Sequence, residues 1–112
     1  LDGKFKKIIA VDFDGCIVEN KWPLVGDPIL PTVEALKKEK QNGSRIILWT
    51  CRGGSMLHDA LDACKGLGIE LDAVNENLPE IVAAFDSESR KVFADEYWDD
   101  RAVKATSEGL YK

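Results

Sequence analysis

Short runs of aliphatic, mostly β-branched residues alternate along this chain with segments whose apolar residues recur at helical spacing, and few architectures accept that alternation. Residues 7–13 read KIIAVDF, a buried-strand pattern broken by Gly15. Residues 16–30 are irregular, with Pro23, Gly26 and Pro28, and read as a structured loop or small flap. Pro31 opens a helix where a missing N–H costs little, Val33, Ala35 and Leu36 supply its inner face, and Gly43 stops it. Residues 45–50, RIILWT, are a second strand. The loop Cys51-Arg52-Gly53-Gly54 leads to Ser55, a predicted N-cap, and Leu57, Ala60, Leu61, Cys64 and Leu67 then recur at helical spacing until Gly68. A weaker third strand falls within residues 69–74, a short helix over 79–85, a polar loop over 87–90 and a last strand over 92–98, with a short terminal helix from Ala102. Such a series predicts parallel βαβ units in a three-layer α/β/α sandwich with a Rossmann-like sheet. No internal repeat or linker interrupts it, and 112 residues suffice for one domain, spanning 1–112.

Composition narrows the partners. A formal charge of −5 argues against a nucleic-acid backbone, which rewards clustered Lys and Arg. It leaves a phosphate ester open, because a bound divalent cation reverses the local sign. No apolar run approaches the roughly 20 residues that span a bilayer, so no membrane association is expected. Residues 1–7 are too short and too charged for a signal peptide. The chain starts at Leu1 rather than Met, which points to a missing or processed start. Cys16, Cys51 and Cys64 form no CxxC pair and are odd in number, so a reducing cytoplasm is expected rather than a disulfide framework. With only His58 to join them they make no zinc signature. A cysteine nucleophile at Cys16 or Cys51 would lack both a sequence-near His and a phosphate cradle.

Ligands of open α/β sheets gather beyond the carboxyl ends of the strands, so what each strand ends with matters most. The first ends in Asp12-Phe13-Asp14-Gly15, the second in Thr50 with Arg52 just beyond, and the last in Asp99-Asp100, with Lys91 just before that strand. Asp12 and Asp14 leave one face of an extended chain roughly 7 Å apart. Carboxylates that close, joined by Asp99 or Asp100, repel and raise one another's pKa. A divalent cation removes the repulsion, and Mg²⁺ suits a site with two or three protein oxygens that keeps room for water and phosphate. Each aspartate alone reads equally well as a solvated loop residue; four at one sheet edge do not.

Four motifs in order resemble those of the haloacid dehalogenase (HAD) superfamily: Asp12-Phe13-Asp14-Gly15-Cys16 after the first strand, Thr50 in ILWT, Lys91 in SRKVFADEYWDD, and Asp99-Asp100 followed by Arg101. They span almost the whole chain. The resemblance implies a Mg²⁺-dependent phosphohydrolase in which Asp12 attacks phosphorus and forms an aspartyl-phosphate, while Asp14 acts as general acid and then base. Thr50 and Lys91 would bind the transferring phosphoryl oxygens, and fixed donors of this kind contribute about 2.7–4 kcal/mol each. Asp99 and Asp100 would hold Mg²⁺ with an Asp12 oxygen and the Asp14 carbonyl. Cys16 stands where the family has Thr or Val; that position offers mainly its backbone N–H.

Around this core some readings stay open. Arg52 either reaches a substrate phosphate or caps its own loop. Gly53 and Gly54 ahead of the helix form either an anion-friendly N-terminus or a plain turn. Trp22 either shields the site or holds an aromatic substrate, though burial against the core is the expectation; His58 faces solvent and Met56 packs. Only about 30 residues separate Asp14 from the second strand, so no cap domain fits. An open site suits a bulky phosphorylated substrate, small molecule or phosphopeptide, or a second subunit that covers it in a homo-oligomer. The alternative function is a non-catalytic signalling module that binds phosphate and Mg²⁺, like a receiver domain, or a pseudo-enzyme. Receivers place the acidic pair first, whereas here it comes last.

Overall fold

The computed structural model describes residues 6–111; the opening residues 1–5, on which the signal-peptide reading falls, lie outside them. The period-2 pattern of the first two runs decides the layers. In β1 (Ile8–Val11) Ile9 and Val11 enter one buried cluster and Ile8 and Ala10 the other; in β2 (Arg45–Leu48) Ile46 and Leu48 go with the first and Ile47 with the second. Both strands are therefore covered on both faces, as a parallel sheet requires.

Helix α1 (Leu30–Gln41) presents Val33 and Leu36, and α2 (Gly54–Gly66) presents Ala60 and Cys64, to the first cluster. Helix α3 (Pro79–Phe85) sends Ile81 into the second. With β3 (Ala73–Val74) and β4 (Glu96–Trp98) the sheet runs β3-β2-β1-β4, all parallel. The chain steps outward from β1 to β2 and β3 with its helices on one face. It then returns past β1 to β4 with α3 on the other face, as right-handed crossovers demand. The reversal lies between β1 and β4, and a crevice opens there at the carboxyl ends of the strands. The expected three-layer, Rossmann-like α/β sandwich is thus the fold, and no cap domain interrupts residues 6–111. Among these residues no helix is long and apolar enough to cross a membrane.

Several elements differ from expectation. The last strand begins at Glu96 rather than 92: Asp95 N–H still donates to Ile8 O of β1 at 2.8 Å, but the two N–H groups before it go to side chains. Phe93 N–H donates to Asn77 Oδ1 at 2.7 Å, and Ala94 N–H to the Tyr97 hydroxyl, which itself donates to Val92 O at 2.6 Å. Val92 and Ala94 still pack into the second cluster. The third strand shrinks to Ala73–Val74, although Ile69 stays buried. The predicted terminal helix is instead an antiparallel hairpin, β5 (Lys104–Thr106) with β6 (Gly109–Tyr111). Its turn needs Gly109 at φ +125, and Thr106 Oγ1 accepts from Glu108 N–H, a local bond that competes with helix. The cap of α2 is Gly53 rather than Ser55, with no side-chain capping bond.

Candidate functional site

Three of the four strand ends carry polar groups into the crevice. Asp12 follows β1 directly, and its backbone N–H donates to Trp98 O at 2.9 Å, tying it to the end of β4. Asp99 and Asp100 follow β4, so pairing of the two strands brings the carboxylates together. One oxygen from each of Asp12, Asp99 and Asp100 lies within 4.8 Å of the others. Gly15 makes this approach possible: a Cβ there would sit 2.3 Å from Asp100 Oδ2, and its φ of +80 suits glycine.

The clustering has an electrostatic cost. Asp12 is half-buried, and burial is the main reason its carboxyl is pushed up to about 6. The charges of Asp99, Asp100 and Asp14 add to the rise, against the Phe13 N–H that donates to Asp12 Oδ1 at 2.7 Å. Hard oxygen donors that repel one another fit a hard divalent cation. The donor set therefore passes as a metal site, with Asp14 contributing no carboxylate to it.

Thr50 stands two residues past β2. Its backbone N–H donates to Asn75 Oδ1 at 2.8 Å, and its hydroxyl accepts from Arg52 N–H at 3.1 Å. With an acceptor position filled from the loop side, the O–H proton is available to a ligand. Asn75 escaped the sequence reading. It sits just past β3 at φ +54, a conformation Asn tolerates better than most residues, and Asn at a strand end was its only signal.

Of the two readings left open for Arg52, the contacts favour the structural one and carry it beyond its own loop. Its side chain is 1% exposed and makes no approach to open solvent. Nε and Nη2 donate to the two Asp14 oxygens at 2.8 and 2.7 Å; Nη2 also donates to Leu24 O at 2.8 Å, and Nη1 to Pro23 O at 3.1 Å and Met56 O at 3.3 Å. The guanidinium also lies over the Phe13 ring, 5.1 Å from its centroid. Arg52 therefore ties Asp14, the 16–29 flap and the first turn of α2 together, and its donors face protein groups rather than a substrate. Both Asp14 oxygens are correspondingly engaged.

Lys91 lies apart from the carboxylates. Its Nζ stands 5.7 Å from the Tyr97 ring centroid, and it lines a separate cavity of about 350 Å³ with Asn77, Phe85 and Phe93. The acidic cavity, about 280 Å³, is walled by Asp12, Asp14, Thr50, Asp99 and Asp100, and also by Asn20, Trp22 and Arg101. A second recess of about 230 Å³ adjoins it beside Trp49. Trp22, expected against the core, is 58% exposed. His58 faces solvent as expected. The Cys16 thiol is pushed up to about 11, by burial first and then by Asp12, Asp100 and Asp99, so it is no thiolate at neutral pH.

No family model matches the chain, and no curated protein matches it. A solved structure from Bacteroides thetaiotaomicron, described as the conserved protein coded by a locus of that organism, superposes with a TM-score of 0.76. The two sequences are 39% identical over 96% of this chain and 84% of that one.

Proposed function

The chain belongs to the same family as that conserved Bacteroides thetaiotaomicron protein, whose description names no activity, and from the chemistry of the site itself we propose that it is a Mg²⁺-dependent phosphohydrolase of the haloacid dehalogenase type. The observation that carries the reading is the three-carboxylate cluster at the reversal point of a parallel sheet, with Thr50 opening onto the same cavity. Asp12, Asp99 and Asp100 would hold Mg²⁺, which when bound supplies positive charge to the phosphoryl oxygens.

The protein's own groups do the rest. A carboxylate oxygen of Asp12 attacks phosphorus as the bond to the leaving oxygen breaks, and water then hydrolyses the aspartyl-phosphate, which splits one hard step into two easier ones. The Thr50 hydroxyl donates to a phosphoryl oxygen while Asn75 holds its backbone N–H and Arg52 N–H holds its hydroxyl oxygen in place. Asp14, which the resemblance makes general acid and base, has both oxygens held by Arg52 and would take that role only after one of them is released. Lys91, which lines the other cavity, would have to swing its flexible stem off Tyr97 to meet the phosphoryl group. The free thiols at Cys16, Cys51 and Cys64 fit a reducing cytoplasm.

The test is phosphate release from p-nitrophenyl phosphate with Mg²⁺, with EDTA and Asp12→Asn as controls. The reading expects turnover that both controls abolish. Stoichiometric phosphorylation without turnover would mark a receiver-like module instead, and Mg²⁺ binding with neither would mark a pseudo-enzyme.

A further inference from the structure

Resting on that phosphohydrolase reading, we infer that the acidic cavity selects aryl phosphate monoesters, with the aromatic ring of the leaving group stacked on Trp22. Two independent observations converge on this class. The first is a braced aromatic wall. Trp22 is 58% exposed and lines the cavity that holds Asp12, yet the flap that carries it is closely tied. Glu19 N–H donates to Asp27 O, Leu24 N–H to Lys21 O and Ile29 N–H to Ile17 O, all within 2.9 Å. A Cβ at Gly26 would lie 2.0 Å from Glu19 O, so the flap closes tightly on itself there. The buried Arg52 holds the carbonyls of Pro23 and Leu24, the two residues that follow Trp22. A large apolar ring held in water by a fixed backbone needs little ordering when a planar ligand stacks on it.

The second observation is the state of Asp14. Arg52 engages both of its oxygens, so neither is free to assist a departing alkoxide. A phenolic oxygen, with an ordinary pKa near 10, leaves without that help; an aliphatic alkoxide does not. In the step envisaged the Asp12 oxygen bonds to phosphorus as the phosphorus–aryloxide bond breaks. The aryloxide departs with the bonding pair and takes a proton from solvent. Water then cleaves the acyl phosphate, returning the Asp12 carboxylate and inorganic phosphate.

The experiment compares kcat/KM for phenyl phosphate and glycerol phosphate, with Mg²⁺, in the wild type, Trp22→Ala, Trp22→Phe and Asp12→Asn. In parallel, calorimetry measures phenylphosphonate and methylphosphonate binding to the Mg²⁺-loaded protein. We expect the aryl-to-alkyl ratio to fall about tenfold in Trp22→Ala, mainly through KM, and to be largely kept in Trp22→Phe. Phenylphosphonate should bind about tenfold more weakly to Trp22→Ala, with methylphosphonate losing far less. Equal loss for both substrates and both phosphonates overturns the inference, as does a wild type that prefers the alkyl ester. If that preference is abolished by Asp12→Asn, the phosphohydrolase reading stands and only the substrate class falls. Phosphate release from either ester that Asp12→Asn leaves untouched overturns both.

Discussion

Replacing Asp12 by Asn should make the metal-free protein more stable at neutral pH while abolishing the proposed phosphate release. Burial, then the charges of Asp99, Asp100 and Asp14, raise the Asp12 carboxyl from 3.8 to about 6. A carboxylate raised in the native state binds its proton more tightly there than in the unfolded chain. The stability it confers is therefore fully present below the unfolded value and is lost as pH rises through about 6. At 1.36 kcal/mol per unit the shift corresponds to about 3 kcal/mol, and solvent screening of a half-buried group reduces this to about 1–2 kcal/mol. Asparagine keeps an oxygen for the Phe13 N–H and carries no charge. Urea denaturation in EDTA should show Asp12→Asn about 1–2 kcal/mol more stable than the wild type at pH 8, with the gap closing towards pH 4. Saturating Mg²⁺ should reverse the order, because a ligand at 100 times its Kd stabilises the wild type by about 2.7 kcal/mol. A gap that ignores pH, or a wild type already the more stable at pH 8 in EDTA, would refute the electrostatic account of the cluster.

Other consequences are equally specific. Gly15→Ala places a methyl 2.3 Å from Asp100 Oδ2 and should raise the Mg²⁺ concentration for half-maximal stabilisation at least tenfold, which a thermal-shift titration reads. Arg52→Ala removes the buried partner of Asp14 and the ties to the flap, and should cost about 3–5 kcal/mol in denaturant unfolding. Asp72 accepts from Lys40 Nζ at 2.6 Å and Ile46 N–H at 2.7 Å, with Arg45 Nε 3.1 Å away. Burial pushes its carboxyl up, but these partners together hold it below its ordinary value. Its contribution is therefore present above the unfolded pKa and lost as pH falls through the folded one, so Asp72→Asn should flatten the acid limb of the stability profile. The same variant should cost about 1–3 kcal/mol at pH 7 in urea unfolding.

The parts of the molecule legible in the sequence are those written in short-range pattern. The unbroken apolar runs Ile8-Ile9-Ala10-Val11 and Ile46-Ile47-Leu48 mark both buried strands, and the order of elements puts their carboxyl ends at one edge, which is why Asp12, Thr50, Asp99 and Asp100 group together from sequence. Features that depend on long-range partners stayed hidden. The role of Arg52 is decided by carbonyls nearly thirty residues earlier in the chain, at Pro23 and Leu24. Lys91 is spaced like a motif residue, yet a Tyr97 six positions on holds its ammonium. Residues 92–95 have strand composition, but Asn77 and the Tyr97 hydroxyl take the amides of Phe93 and Ala94. The C-terminal segment lost its helix to local chemistry that was readable: Thr106 favours strand, and Ser107-Glu108 is a turn that runs into Gly109.

The central claim is that Asp12 accepts a phosphoryl group beside the acidic pair. Its most direct test is an acid-quenched single turnover of an aryl phosphate with Mg²⁺, followed by peptide mass spectrometry. The account predicts a phosphoryl adduct on the Asp12 peptide that decays as inorganic phosphate appears, with none formed in EDTA. Rapid turnover with Asp12 never modified, or an adduct on another residue, would contradict it.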